Sequence, residues 1–567
     1  MGLMLDILKQ HRAAVFLVIL GLSVFFRSDN LGAAGLSEDE AHKIEAGRAY
    51  LRGEFFTNLE HPMLMKTMVA LSMIISDAWN RRASPALQIS EEAVVRLPNV
   101  VFGSLTALVI FLIAEEMFGF TVGLISGLLW STGILAIAIN RVAKEDTLLV
   151  FFTWLAFYLY MKAKNLGDPS TARQKLYYAL AGASFGLMLA SKYFPHYFGL
   201  NMLYYHIVGR NEKNRPLGGS IAFVFGALGL AFLIANPVVL SPAVLQYFVA
   251  YIREETMTHH GYYMMSHLYY NDFLYRPGST PVYYYPLLLL LKTPLPLLGA
   301  LLLGLVLAFR RRKNSQYFFI LFMLLWWIIP FSFSGGKFLR YMLSAMPMVY
   351  IFGALGIVKL TEMLSAPLKG RLAPTYHAAL GVAFLALIIA TPVLSPLGSA
   401  PFYSLYLNPL GAGRAAHYFP HDEIYDAGLR ETIKEICDEA QPGASVAGES
   451  PLVFKYYLAR FGRSDLTYFN LSDSAGNNGG LGPTYIVVQE GRRYFENIAL
   501  IDRLEARFDP IETVRIGAAT AATVYKVDDV AQLRPTSQHI ARNQTVADPT
   551  TFSSSNEPPP FLRESLP

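Results

Sequence analysis

Residues 97–114, LPNVVFGSLTALVIFLIA, contain no Asp, Glu, Lys or Arg; Arg96 precedes them and Glu115-Glu116 follows. A helix needs roughly 20 mostly apolar residues to cross about 30 Å of hydrocarbon, so 97–115 reads as a membrane span. Working outward, ten more stretches read the same way: 13–26, 121–140, 147–163, 176–191, 195–208, 220–236, 282–309, 316–334, 341–358 and 377–396. Composition agrees. Of 567 residues, 53% are hydrophobic and 16% charged, with mean hydropathy +0.35; a soluble chain carries about 25% charged residues. The predicted fold class is a polytopic α-helical membrane protein of about eleven spans.

Lys and Arg in short loops set the orientation. With the N-terminus in the cytoplasm, the inner loops 162–175, 209–219, 310–315 and 359–376 are basic, the third as Arg310-Arg311-Arg312-Lys313. The turn 116–120 carries no base. The net charge of +5 is largely this topogenic signal and gives no reason to expect a nucleic-acid partner. The first span ends in bulky Phe25-Phe26-Arg27 without a small-residue cleavage site and is read as retained. One cysteine, Cys437, excludes an intrachain disulfide and a cysteine metal cluster.

Residues 1–396 therefore read as a transmembrane domain with outer loops 27–93, 139–147 and 237–281. Beyond Pro396 the pattern changes to helix 424–440, strand 444–449, helix 451–461, strands 466–470 and 484–490, helix 493–507, and strands 511–516 and 522–527. Leu429, Ile433 and Ile436 show the helical spacing, and the last two strands bracket Gly517 as a hairpin. Residues 397–530 are thus expected to form a small α/β domain outside the membrane. Residues 531–567, rich in Ser, Thr, Pro and Asn, read as a disordered tail.

Chemically notable residues collect on the outer side. Loop 27–93 holds Glu38-Asp39-Glu40 and Glu60-His61-Pro62-Met63-Leu64-Met65-Lys66, with helices expected over 40–52 and 63–79. Three acids in a row suit a helix N-terminus on electrostatic grounds alone. Loop 139–147 holds Arg141, Lys144, Glu145 and Asp146, and Asp146 opens a span, a costly place for an unpaired carboxylate. Arg96 opens the second span and Lys192 closes the fifth. His259-His260 lies among tyrosines, and Lys337, Arg340 and Tyr341 precede the tenth span. Each cation could be a snorkelling anchor. Lys292 lies about ten residues into the eighth span, which marks either a functional site or an interfacial segment.

Carboxylates can act as general bases for a hydroxyl acceptor, and Arg and Lys stabilise a departing phosphate. Amphipathic helices beside the site would let an amphiphilic substrate enter from the leaflet. This combination suits group transfer from a lipid-linked phosphate; no phosphate loop or dinucleotide fingerprint is present. A transporter would place charges within spans, often in two repeated halves, and neither pattern dominates here.

The motif order resembles the GT-C superfamily of membrane glycosyltransferases, in particular the protein O-mannosyltransferase and bacterial aminoarabinose-transferase-like families. Asp39-Glu40 resembles their first-loop acidic pair. His61-Pro62-Met63-Leu64-Met65-Lys66 resembles His-Pro-Pro-Leu-x-Lys, with Met63 in place of the second proline. Arg96-Leu97 with Gly103, Arg141 with Asp146, Lys192, and Lys337 with Arg340-Tyr341 complete the series, which covers about 1–360. The resemblance implies a polyprenyl-phosphate monosaccharide donor, inversion at the anomeric carbon, and a protein or glycolipid acceptor at a bacterial inner membrane. It implies Asp39 as base, Glu40 and Asp146 beside it, and Arg96, Lys192, Lys337 and Arg340 on the donor phosphate. His61, Arg141, His259, His260, Lys292 and Tyr341 would line the cavity. A divalent metal is left open; Asp39, Asp146 and His259 would be its ligands.

Overall fold

The computed structural model describes residues 7–166, 171–193, 218–252, 260–272, 274–366, 374–472 and 484–528. Within them the chain is an integral membrane protein, mostly helical, with several apolar spans and a small mixed sheet at its C-terminal end. The expected span 195–208, the tail 531–567 and His259 lie outside the described residues.

Every other expected span falls on helix. In chain order the helices are α1 (Arg12–Ser28), α2 (Glu38–Leu51), α3 (Met63–Asn80), α4 (Glu91–Phe118), α5 (Phe120–Thr132), α6 (Ile134–Asn140), α7 (Glu145–Asn165) and α8 (Ala172–Ser191). They continue with α9 (Gly218–Ala235), α10 (Pro242–Ile252), α11 (Tyr284–Lys292), α12 (Leu295–Arg310), α13 (Ser315–Ser332), α14 (Met346–Ser365) and α15 (Pro374–Leu394). Two expected spans are broken. The stretch 121–140 bends by 53° at Gly133, where a β-carbon would lie 1.9 Å from the Tyr350 hydroxyl. The stretch 282–309 breaks between α11 and α12 at Thr293-Pro294, because proline has no N–H to continue the ladder. The Asn408 side chain satisfies carbonyls freed there, donating to Leu290 O (2.6 Å) and Thr293 O (2.7 Å).

Close helix approach depends on small residues, as in membrane interiors generally. A β-carbon at Gly304 of α12 would lie 1.9 Å from Phe352 O of α14, and one at Gly356 would lie 1.8 Å from Ala300 O. α3 differs. Its Leu71, Ile74, Ile75 and Trp79 are exposed and form one apolar stripe at helical spacing, while Met65, Val69 and Met73 pack inward.

The loop between α10 and α11 carries a short hairpin, β1 (Tyr262–Met264) and β2 (His267–Tyr269). The C-terminal region contains β3 (Ser445–Gly448), β4 (Thr467–Asn470), β5 (Thr484–Gln489), β6 (Glu512–Ile516) and β7 (Ala519–Val527) in the order β4-β3-β5-β7-β6. β3 is parallel to β4 and β5; β7 is antiparallel to β5 and β6. Every residue of β3 and β5 is buried, as expected of parallel strands covered on both faces. α16 (Leu429–Glu439), α17 (Pro451–Arg460) and α18 (Ile498–Arg507) supply the covering layers. The helix expected over 424–440 starts later because Gly428 takes φ 82° ahead of it.

Candidate active site

α2 begins with a capping box. Ser37 N–H donates to Glu40 Oε2 (3.0 Å), and the Ser37 side chain completes the reciprocal contact. Within the first turn, Asp39 and Glu40 then have different surroundings.

Glu40 faces the protein interior. Both its oxygens accept from Arg96, at 2.7 Å each, and Oε1 also accepts from Ala143 N–H (3.0 Å). Arg96 donates further to the carbonyls of Leu31 (2.8 Å), Ala34 (2.9 Å) and Gly35 (2.7 Å). A guanidinium has five N–H donors, and these contacts engage all of them.

Asp39 lies on the wall of a cavity of about 190 Å³. Its carboxylate forms an ion pair with Lys144. Burial opposes ionisation of Asp39, but Lys144, Arg340 and Lys43 outweigh it and hold the carboxyl well below its ordinary value. Arg340 lines the same cavity. Its guanidinium lies over Phe338 (4.3 Å) and Tyr341 (5.5 Å). Among the described residues Arg340 makes no hydrogen bond or ion pair. Burial disfavours its charge, yet Tyr341, Asp39, Asp146 and Asp422 together raise its pKa.

The loop 139–147 is fixed from α4: Asn99 Nδ2 donates to Val142 O and Lys144 O at 2.8 Å and to Thr147 Oγ1 at 3.0 Å. Gly103 makes room for Asn140, whose Cγ would lie 2.6 Å from a β-carbon there. Asn140 in turn accepts from Arg27 (2.9 Å). Asp146 pairs with Lys192 at 2.8 Å, and Lys192 Nζ lies 4.7 Å over the Tyr341 ring. Arg141 lines the cavity but donates to carbonyls of Phe26, Arg27, Asp29 and Asn30 at the end of α1.

The remaining sequence candidates separate. His61 lies 3.8 Å from Glu145, which pairs with Lys43 at 2.7 Å. Burial pulls His61 down to about 4 against the pull of Glu145 and Glu60, so the ring is neutral at pH 7. Lys66 braces the His-Pro turn through Thr57 O, Asn58 O and His61 O. Lys337 donates to Thr280 O (2.7 Å) and Ser334 O (2.5 Å). His260 is paired with Glu496 (2.7 Å) at the surface. Lys292 forms a buried ion pair with Glu423 and donates to Ser404 O; it pins the C-terminal segment to the α11–α12 break and does not line the cavity. Among the described residues no group of three His, Cys, Asp or Glu side chains stands ready to hold a metal ion.

Much of the cavity comes from a segment not singled out in the sequence. Residues 401–427 contribute Tyr403, His421, Asp422 and Tyr425 opposite Asp39 and Arg340. Asp422 accepts from Tyr262 and Tyr284, the latter at 2.8 Å. Lys43, Lys144 and Glu145 were also missed as site residues, although Lys144 and Glu145 lie between the chosen Arg141 and Asp146.

Residues 75–241 match the family model described as dolichyl-phosphate-mannose-protein mannosyltransferase. No curated protein matches the chain. Among solved structures, the apo ArnT of Cupriavidus metallidurans aligns with TM-score 0.52 and 14% identity over 93% of this chain and 99% of that one. The apo oligosaccharyltransferase of Archaeoglobus fulgidus aligns with TM-score 0.50 and 12% identity over 84% of this chain and 69% of that one. At these identities the structural likeness concerns the fold. The chain thus shares its fold with ArnT and the archaeal oligosaccharyltransferase, and its residues 75–241 are similar to the mannosyltransferase family.

Proposed function

We propose that the chain transfers a monosaccharide, mannose or a similar hexose or pentose, from a polyprenyl phosphate to an acceptor hydroxyl on the extracytoplasmic side. The observation that carries this reading is Arg340: a cation in the same cavity as Asp39, with its donors unengaged among the described residues. The cavity is smaller than the roughly 300–1,000 Å³ of drug-sized sites, which suits one sugar ring. Arg340 offers a planar fork to a phosphate at the moment the glycosidic oxygen departs. Arg96, Lys192 and Lys337 are engaged elsewhere and act on the scaffold.

The acceptor oxygen attacks the anomeric carbon, the carbon–oxygen bond to phosphate breaks, and its electron pair leaves with the polyprenyl phosphate. Attack from the opposite side inverts the centre. Asp39 accepts the acceptor proton. The neighbouring cations of the protein itself make Asp39 a weak base. A donor phosphate drawing on Arg340 offsets one of those fields, so Asp39 gains basicity when the donor is bound.

The family description favours a protein hydroxyl, Ser or Thr, as acceptor. The exposed apolar stripe of α3 favours a second reading, a lipid A-like glycolipid or cell-wall glycan carried by lipid, because such a helix lies well at a membrane surface. Incubation of the purified, reconstituted chain with labelled polyprenyl-phosphate sugars, Ser/Thr peptides and glycolipids separates the two by where label appears. Folded protein that consumes no polyprenyl-phosphate sugar in the presence of either acceptor sinks the proposal. Orientation is tested by cysteines introduced in 27–93 and 397–528. They are expected to react with impermeant reagents in intact cells, and protection of both regions rules out the outward site.

A further inference from the structure

The C-terminal sheet ends against the helix that carries Asp39. In open α/β sheets the crevice beyond the carboxyl ends of parallel strands is the usual ligand site. Here that crevice, beyond β3 and β5, is filled by Asp426. Its Oδ1 accepts from Ser450 Oγ (2.6 Å), Gln489 Nε2 (2.9 Å) and Arg492 Nε (2.6 Å). Its Oδ2 accepts from Arg492 (2.7 Å) and from the backbone N–H of Glu38 (2.8 Å). Arg492 Nη1 also reaches Glu38 Oε2 at 2.9 Å. Arg492 is fully buried and Asp426 nearly so.

The approach to α2 is held from the same side. Leu36 N–H donates to the Tyr457 hydroxyl (2.8 Å), and Arg430 donates to Gly32 O (3.0 Å) and Ala33 O (2.6 Å). Each end of segment 32–38 is therefore bonded to the C-terminal domain, and Asp39 is the next residue.

We infer that the C-terminal domain is a positioning element for Asp39, with Arg492 and Asp426 as the positioning pair. The inference rests on the reading of Asp39 as the carboxylate that acts on the acceptor. The crevice that would receive a ligand instead fixes the first turn of α2, so Arg492 contributes to turnover through the placement of Asp39 and does not itself line the cavity. Misplacing a reacting group by about 1 Å can cost about 10²-fold in rate, and a buried bidentate pair resists that displacement better than a single contact does.

The test uses the full chain. Arg492→Gln removes the fork and the charge; Arg492→Lys keeps the charge. For Arg492→Gln, kcat is expected to fall about 10–100-fold with donor KM within about twofold, and the acidic limb of the kcat profile is expected to shift. Arg492→Lys is expected to restore part of kcat. Should Arg492→Gln fail to fold, Glu38→Gln decides, since it leaves the Asp426–Arg492 pair in place. A lower kcat at unchanged donor KM supports the inference, and unchanged kcat overturns it. Folded Arg492→Gln with wild-type kcat also overturns it. Asp39→Asn is measured alongside: full activity there would remove the underlying reading, whereas an inactive Asp39→Asn with unaffected Arg492 and Glu38 variants removes the positioning role alone.

Discussion

Arg96 and Arg340 flank the same helical turn and look alike in the sequence, yet the structure uses them differently. Arg96 faces Glu40, with both carboxylate oxygens and three carbonyls on its five donors. Arg340 lines the same cavity as Arg96, Glu40 and Asp39, but its guanidinium rests on aromatic rings without a hydrogen bond among the described residues. The adjacent acids divide accordingly. Glu40 is committed to holding the loop; Asp39 is held by charge at the edge of an open space. A cation at the end of a span is therefore not a phosphate ligand by position alone. Its remaining donors decide.

The comparison breaks most sharply at Asp39. Asp39→Asn preserves size and removes the base, which should lower turnover by about 10²–10⁴-fold while the purified protein unfolds at nearly the wild-type temperature. A fully active, correctly inserted Asp39→Asn protein would take Asp39 out of the role. The opposite signature is expected across the helix. Arg96→Ala leaves Glu40 buried without its partner, a loss of about 3–5 kcal/mol, read as a fall in folded yield and in unfolding temperature. Donor affinity in the surviving folded fraction should stay close to wild type. A stable Arg96→Ala protein with weakened donor binding would reverse the assignment of the two arginines.

What could be read in the sequence follows the same division. The spans were legible because apolar runs and basic loops are one-dimensional signals; the bend at Gly133 was less so, since it depends on the close approach of the distant Tyr350, whereas the break at Pro294 follows from the proline and is only braced by Asn408. The sheet domain was legible from its alternating helix and strand patterns, with Leu429, Ile433 and Ile436 buried along one face as their spacing implied. Asp39, Glu40, Arg96, Arg141 and Arg340 line one cavity. Tyr403, His421 and Asp422 could not be found, because residues 401–427 have ordinary composition and reach Asp39 across more than 350 positions. Lys292 showed as an anomaly, but its partner Glu423 explains it as a staple.

Arg340 sharpens the comparison through the donor. A charged hydrogen bond contributes about 1.5–3 kcal/mol, so Arg340→Ala should raise donor KM roughly 10–100-fold. Arg340→Lys should fall between, because a lysine keeps the charge and loses the planar fork. Donor titration at saturating acceptor gives the readout. Full rescue by lysine would reduce Arg340 to a point charge or an anchor, and wild-type donor dependence in both variants would sink the phosphate role.

The smallest expected effect is at Lys144, and its sign distinguishes a held carboxylate from a free one. Burial pushes the Asp39 pKa up, and Lys144 leads the cations that bring it below its ordinary value. A depressed carboxylate contributes stability that is present above its unfolded pKa, about 3.9, and is lost as pH falls through the lower native value. Lys144→Met removes the nearest cation and leaves burial in force, so the native pKa of Asp39 must rise. The acidic limb of kcat should then move to higher pH, and Asp39 should be a stronger base once ionised. At alkaline pH the variant should match or modestly exceed wild-type turnover, whereas in mildly acidic solution it should fall below it. A pH profile of kcat at saturating donor measures both arms. An unshifted acidic limb would mean that Lys144 does not set the charge state of Asp39 in the working enzyme, and that the bound donor, through Arg340, governs it alone.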